Sequence, residues 1–281
     1  ITKLIADAQA ALDEAEAKPQ ACWDYVVTLR NNICEQLMRS FGVISHMMSV
    51  CNSDEWREAY DSVLPDIIAF STRFSQSEPF YKALKELVNS PEFADFDSVK
   101  QRILIKNLES IEDSGIGLIG KERERFNELT QELSKLSNDF SNNVLDATKA
   151  FSITITEKAK VHGIPETLLA AMAAAAKAEG EDSATTEQGP WRVSLDPAIY
   201  GPFMQYCQDR DLRERLYIAS ITRASSGDID NRGIIEQILA KRSEKVKLLG
   251  YSNYAEKSTK AKMAGSPDKV FDMYDRLEPK L

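Results

Sequence analysis

The feature that most constrains the fold is a run of apolar residues spaced alternately four and three apart. Trp23, Val27, Cys34, Leu37, Phe41, Ile44 and Met48 follow that step, and Arg30 is the one polar member of the series. Such spacing puts the set on one stripe of an α-helix, and the stripe needs a cover. The next segment supplies it. Asn52-Ser53-Asp54 is a turn and N-cap cluster, and Trp56, Tyr60, Val63, Ile67, Phe70 and Phe74 repeat the step beyond it. Two striped helices joined by a short turn predict an αα-hairpin, with a kink at Pro65.

Helical spacing continues on both sides. Residues 1–18 carry Leu4, Ala8, Ala11, Leu12 and Ala15 on one face, and Pro19 ends them. Helices are predicted over residues 77–89, 97–113 and 121–150, the last with a seam of Phe126, Leu129, Leu133, Leu136, Phe140, Val144 and Ala147. At Phe151 the period falls to two: Phe151, Ile153 and Ile155 alternate with Ser152, Thr154 and Thr156, and Trp191, Val193 and Leu195 alternate again later. Alternation marks strands. A lone strand pair is marginal in water, so something must cover it. An Ala-rich helix is expected between the strands, over residues 165–179, and residues 180–190 read as a mobile polar loop. Helices follow over residues 197–207, 211–224, 229–249, 252–262 and 267–281, the third of these with Ile234, Ile238, Leu239, Arg242 and Val246 inward and Gly250 as its stop. The expected class is mainly α: long helical hairpins with a small two-stranded β insertion. The expected segments are a helical domain at 1–150, a strand and helix insertion at 151–200, and a helical segment at 201–281. The last helix shows an apolar face of Val270, Met273, Tyr274 and Leu277 with no stop signal, which reads as a truncation.

Charge and cysteines narrow the function. A net charge of −9 argues against a nucleic-acid binder, which needs basic patches to displace counterions. Cys22, Cys34, Cys51 and Cys207 form no CxxC and are expected as reduced thiols in a reducing compartment. No run of about 18 apolar residues is present, so no membrane span is expected. The chain opens on Ile1 rather than Met, so its start says little about targeting. Only two histidines occur, His46 and His162. Neither belongs to HExxH, the arrangement that puts two imidazoles and a general base on one helix face around zinc. GxSxG and P-loop patterns are absent as well. The acids Asp13, Glu14 and Glu16, and Glu109, Glu112 and Asp113, read as solvated helix faces.

Several stretches are distinctive in combination. They are Leu136-Ser-Asn-Asp-Phe-Ser-Asn-Asn-Val-Leu-Asp-Ala-Thr148, Leu216-Tyr217 through Thr222-Arg223-Ala224-Ser225, and Lys247-Leu-Leu-Gly-Tyr-Ser-Asn-Tyr-Ala255. Ser45-His46 and Trp56-Arg57-Glu58-Ala59-Tyr60 fit the same pattern. In this order they resemble the M3 family of zinc metallopeptidases, on its oligopeptidase A and thimet oligopeptidase side. The stretch from Ala224 to Asn231 and the Gly189-Pro190-Trp191 approach are similar to the plant-type branch, organellar or cytosolic. The resemblance implies the N-terminal half of a clam-shaped peptidase whose channel admits short unstructured peptides, cleaved targeting peptides among them. It implies zinc in the full-length enzyme, held by a C-terminal catalytic portion with no ligand and no catalytic residue in this chain. It also implies a soluble protein of the cytoplasm or of the mitochondrial or chloroplast matrix, with no nucleic-acid or membrane partner. The rival reading is a catalytically inactive helical scaffold or assembly subunit.

On that resemblance six residues are candidate channel contacts. Asn138 and Asn142, with Asn143, are poor helix formers on a long helix, and either meet a peptide backbone or bond to adjoining helices. Tyr217 and Arg223 flank a distinctive stretch, and Arg223 suits either a peptide carboxylate or a structural acid. Tyr251 and Tyr254 place two phenols near a helix end.

Overall fold

The computed structural model describes residues 1–280. Its helices are α1 (Thr2–Glu16), α2 (Arg30–Val50), α3 (Asp54–Ser75), α4 (Glu78–Val88), α5 (Glu92–Asp95), α6 (Ser98–Glu112), α7 (Gly120–Ala150), α8 (Glu166–Ala178), α9 (Pro197–Tyr206), α10 (Arg210–Ile221), α11 (Arg232–Leu248), α12 (Tyr254–Lys260) and α13 (Pro267–Leu277). Strands β1 (Ser152–Ile155) and β2 (Trp191–Ser194) form one antiparallel sheet. The fold is mainly helical with a small β insertion, as the periodicity predicts. Two compact units divide the chain: residues 1–134 with those from 240 onward, and residues 135–239. The first is discontinuous in sequence, whereas the three expected segments run consecutively.

In the first unit the predicted hairpin forms from α2 and α3. The Phe41 and Tyr60 rings stack with centroids 5.5 Å apart. A π-helical turn (Asp24–Leu29) precedes α2 where a plain helix is expected, and it turns Tyr25, Val26 and Val27 into the core. Arg30, the break in the apolar stripe, lies with its guanidinium 4.6 Å over the Phe74 ring. The aromatic face substitutes for a carboxylate there. α3 runs as one element through Pro65, which stands on its exposed side.

The centre of this core is α4. Phe80, Ala83, Leu84 and Leu87 lie at i, i+3, i+4 and i+7, one face of a helix, and all four are buried. Each large side chain contributes about 2–3 kcal/mol by leaving water. Tyr25 stacks on Phe80 at 4.5 Å, and its hydroxyl donates to the Ala15 carbonyl at 3.0 Å. That carbonyl lies in the last turn of α1, where it also accepts from the Lys18 backbone N–H at 3.1 Å. Two acids expected on a solvated face are tied down: Asp13 and Glu16 both pair with Arg73 of α3. A helix interior offers such acids a cation on the neighbouring helix, which sequence spacing does not display.

In the second unit the two strands pair in the register Ser152↔Ser194, Ile153↔Val193, Thr154↔Arg192 and Ile155↔Trp191. Ile153, Ile155, Trp191 and Val193 face inward, and Leu168, Met172 and Ala176 of α8 with Phe203 of α9 and Leu216 of α10 cover them. Trp191 is 0% exposed. The segment expected as a mobile loop, residues 180–190, is instead a bonded turn. Thr185 and Gly189 exchange two backbone hydrogen bonds of 2.9 Å, Ala184 is buried, and the Thr186 carbonyl accepts from Trp191 Nε1 at 3.1 Å. The physical reason is the indole N–H, which needs an acceptor once buried. Gly189 has φ +72°, and a Cβ there would lie 2.6 Å from the Trp191 ring.

Two substitutions test this packing by urea unfolding. Leu84→Ala is expected to lower stability by about 3 kcal/mol, the cost of a buried cavity. Gly189→Ala is expected to lower it by about 2 kcal/mol or more, because backbone and ring both oppose the methyl group. Parent-like stability of Gly189→Ala contradicts the close approach to Trp191.

Candidate functional site

The six candidate residues fall in both compact units. Asn138, Asn142, Tyr217 and Arg223 belong to residues 135–239, and Tyr251 and Tyr254 to the other unit.

In the unit of residues 135–239, Asn138 and Asn142 are half-buried on α7 and Tyr217 is 48% exposed on α10. Their neighbour Asn143 is a helix tie. Its Nδ2 donates to Asn231 Oδ1 at 2.9 Å, and Asn231 Nδ2 donates to the Phe140 carbonyl at 3.1 Å. Asn231 is only 3% exposed. Its backbone N–H reaches the Ala224 carbonyl at 2.8 Å, closing the loop between α10 and α11. A buried amide with both ends satisfied fixes that loop, because an unmade bond there costs more than a made one gains. Sequence reasoning names Asn231 only as part of a stretch; an Asn at the start of a helix reads first as a cap. Ala224, with φ +50°, turns the chain just after Arg223. Arg223 is exposed, with Nε donating to the Ser220 carbonyl at 3.0 Å and Nη1 to Thr148 Oγ1 at 3.1 Å. Its position is therefore held from two sides.

In the other unit, Tyr251 Oη donates to Asp113 Oδ1 at 2.6 Å and accepts from Lys260 Nζ at 2.7 Å. Asp113, like Glu16, thus departs from the expected solvated face, whereas Asp13 stays exposed on it. Burial first, and the bond to Asp113 next, raise the Tyr251 pKa from its ordinary value. Tyr254 is exposed and lies under Arg242, whose Cζ is 4.9 Å from the ring centroid. Arg242 is one of the inward residues predicted on α11, as is buried Val246; Leu239 departs from that face at 60% exposure. Arg125 of α7 grips Glu244 of α11 through two bonds of 2.7 and 3.0 Å. Lys241 reaches Glu132 at 2.6 Å. Arg125 holds the Glu244 carboxyl below its ordinary range, and Lys241 does the same for Glu132. None of these pairs has a sequence signature, because their members lie more than a hundred residues apart.

Lys245 is different. Its Nζ sits 4.5 Å over the buried Phe126 ring. Burial, with a smaller contribution from Lys257, lowers its pKa to about 8.

No group of three or more His, Cys, Asp or Glu among the described residues is placed to hold a metal ion. His46 is exposed on α2, and His162 Nδ1 lies 3.2 Å from Gln208 Oε1. Among the described residues the donors do not fit a zinc ion. The four cysteines are free thiols. No described helix is long and apolar enough to cross a membrane.

Comparison with known proteins places this architecture. Residues 1–123 match the family model Neurolysin/Thimet oligopeptidase, N-terminal domain, and residues 203–281 match Peptidase family M3. The chain belongs to peptidase family M3. It is 41% identical over 277 residues to the organellar oligopeptidase A, chloroplastic/mitochondrial, of Arabidopsis thaliana, covering 99% of this chain and 35% of the relative. It is 40% identical over 277 residues to the probable cytosolic oligopeptidase A of the same plant, covering 99% and 39%. It is 37% identical over 284 residues to oligopeptidase A of Escherichia coli (strain K12), covering 99% and 41%. The chain thus spans about two-fifths or less of the length of these relatives.

Two measurements check the polar ties. Asn231→Ala is expected to cost about 2–3 kcal/mol in urea unfolding, since it strands Asn143 and the Phe140 carbonyl. Lys245 makes stability depend on pH. Its folded pKa lies below the unfolded lysine value, so the unfolded chain binds more protons between about pH 8 and 10.5, and stability rises with pH across that window. Lys245→Met is expected to remove that rise and to add about 1 kcal/mol at neutral pH, after allowance for solvent screening and the ring contact. An unchanged pH slope in the variant contradicts the assignment.

Proposed function

We propose that this chain is the substrate-channel portion of a zinc metallo-oligopeptidase that hydrolyses short unstructured peptides, cleaved targeting peptides among them. Membership of family M3 carries the proposal, together with the absence of HExxH from the 281 residues. Hydrolysis then depends on metal ligands in a catalytic portion outside this sequence. When bound there, zinc supplies Lewis-acid polarisation and an activated water. What these residues contribute is binding and register. Positioning alone lowers a barrier, because a held substrate has already lost the freedom that reaction would remove.

In this reading Asn138 and Asn142 offer amide donors and acceptors to a peptide backbone, and Tyr217 an exposed phenol. Arg223, pinned through Nε and Nη1, presents Nη2 to a peptide carboxylate. Tyr254 offers a ring face. Tyr251 acts as a positioning residue, since its hydroxyl already serves Asp113 and Lys260. Free thiols and relatives named for organelles and cytosol support a reducing compartment, cytoplasmic or organellar.

The test is titration of this chain with short peptides of free and amidated C-terminus, followed by fluorescence anisotropy. Binding of the free-acid peptide without cleavage is expected, and Arg223→Gln is expected to weaken it about tenfold, the loss of one charge-assisted bond. Peptide binding that ignores both the carboxylate and Arg223 contradicts the assignment. A monodisperse chain that binds no peptide at all favours the scaffold reading.

A further inference from the structure

Arg223 is an exposed cation whose two bonds both end on neutral oxygens. Nε donates to the Ser220 carbonyl at 3.0 Å, and Nη1 to Thr148 Oγ1 at 3.1 Å. The first bond is local. It caps the C-terminal end of α10, where a cation also suits the helix dipole. The second bond crosses 75 residues to α7, and it fixes a direction that the cap alone leaves open.

Thr148 is set to receive that bond. An arginine only donates, so the hydroxyl must accept from it and send its own proton elsewhere. Thr148 Oγ1 donates to the Val144 carbonyl, one turn back on α7, at 2.7 Å. A β-branched side chain has few rotamers on a helix, so the accepting lone pair keeps a fixed place. Thr148 is also half-buried, which limits the competition of water for its oxygen.

The loop that follows Arg223 is held to the same helix. Ala224, at φ +50°, accepts at its carbonyl from the Asn231 backbone N–H at 2.8 Å. The Asn231 side chain in turn meets Asn143 at 2.9 Å and the Phe140 carbonyl at 3.1 Å. Phe140, Asn143 and Thr148 lie along about 12 Å of α7. All of these residues belong to the unit of residues 135–239. The backbone on the far side of Arg223 and its guanidinium are thus both registered against one helix.

We propose that Thr148 is a positioning residue for peptide recognition: it aims the Arg223 guanidinium, and so sets the preference for a free C-terminal carboxylate over an amide. The inference rests on the reading of Arg223 as a carboxylate contact. With Nε and Nη1 engaged, Nη2 is the donor left for the ligand. A guanidinium that is already ordered loses less freedom on binding, and a neutral amide draws little from its charge. A merely structural tie would alter stability and leave the acid-to-amide ratio where it is.

The test is fluorescence anisotropy on the 281-residue chain with one short peptide in free-acid and amidated form. The parent is compared with Thr148→Val, Thr148→Ser and Arg223→Gln. Valine keeps the shape and removes the acceptor, and an exposed guanidinium can turn to water, so urea midpoints are expected to stay parent-like. The parent is expected to favour the free acid about tenfold, Thr148→Val about threefold, and Thr148→Ser as much as the parent. Affinity for the amidated peptide is expected to stay level in all of them. In the Arg223→Gln background Thr148→Val is expected to change nothing, because the two residues act through one contact. A Thr148→Val chain that keeps the parent's ratio, or that loses affinity for both peptides alike, overturns the proposal and leaves the reading of Arg223 standing. A parent that does not distinguish the two peptides overturns both.

Discussion

A helix hides one stripe, and a protein made of helices depends on where each stripe finds its cover. In residues 1–134 the answer converges on α4, whose four buried side chains receive the turn before α2 and α6, while α1 packs on α2 and α3. In residues 135–239 it converges on Trp191, which seats α8 and α9 against a sheet too small to stand alone. Polar contacts do something else. Asn231, Arg73 and Arg125 add little net energy compared with burial, but each has bonds only one arrangement can satisfy. They choose among the packings that apolar burial permits.

This division explains what was legible in the sequence. The α2 and α3 stripes gave the hairpin because covering them leaves few alternatives, and the switch from period four-three to period two at Phe151 gave the strand. The polar residues behaved otherwise. Glu16 and Asp113 read as solvated because helical spacing reports a residue's own face and not the cation across from it. Residues 180–190 read as a mobile loop because the need that orders them, an acceptor for the Trp191 indole, belongs to a residue outside the loop. Lys245 sits among charged neighbours in sequence and over an aromatic ring in space. The six candidate contacts came from a resemblance, and the structure's information about them is their surroundings: Tyr251 is heavily bonded, Arg223 is pinned, and Tyr217 and Tyr254 are open.

The surfaces left uncovered are as informative as the cores. On α13, Phe271 is 63% exposed, and Met273, Tyr274 and Leu277 are exposed with it. That helix keeps the amphipathic pattern its sequence shows, with its apolar face open. The two histidines, His46 on α2 and His162 beside Gln208, do not share a helix.

The central claim is therefore a separation between holding a peptide and cutting it. It is tested most directly by measuring zinc stoichiometry and hydrolysis of a quenched fluorescent short peptide together, in a preparation whose intact mass is that of these 281 residues. The account predicts no tightly held zinc and no cleavage that a chelator abolishes. One zinc per chain with chelator-sensitive cleavage would contradict it.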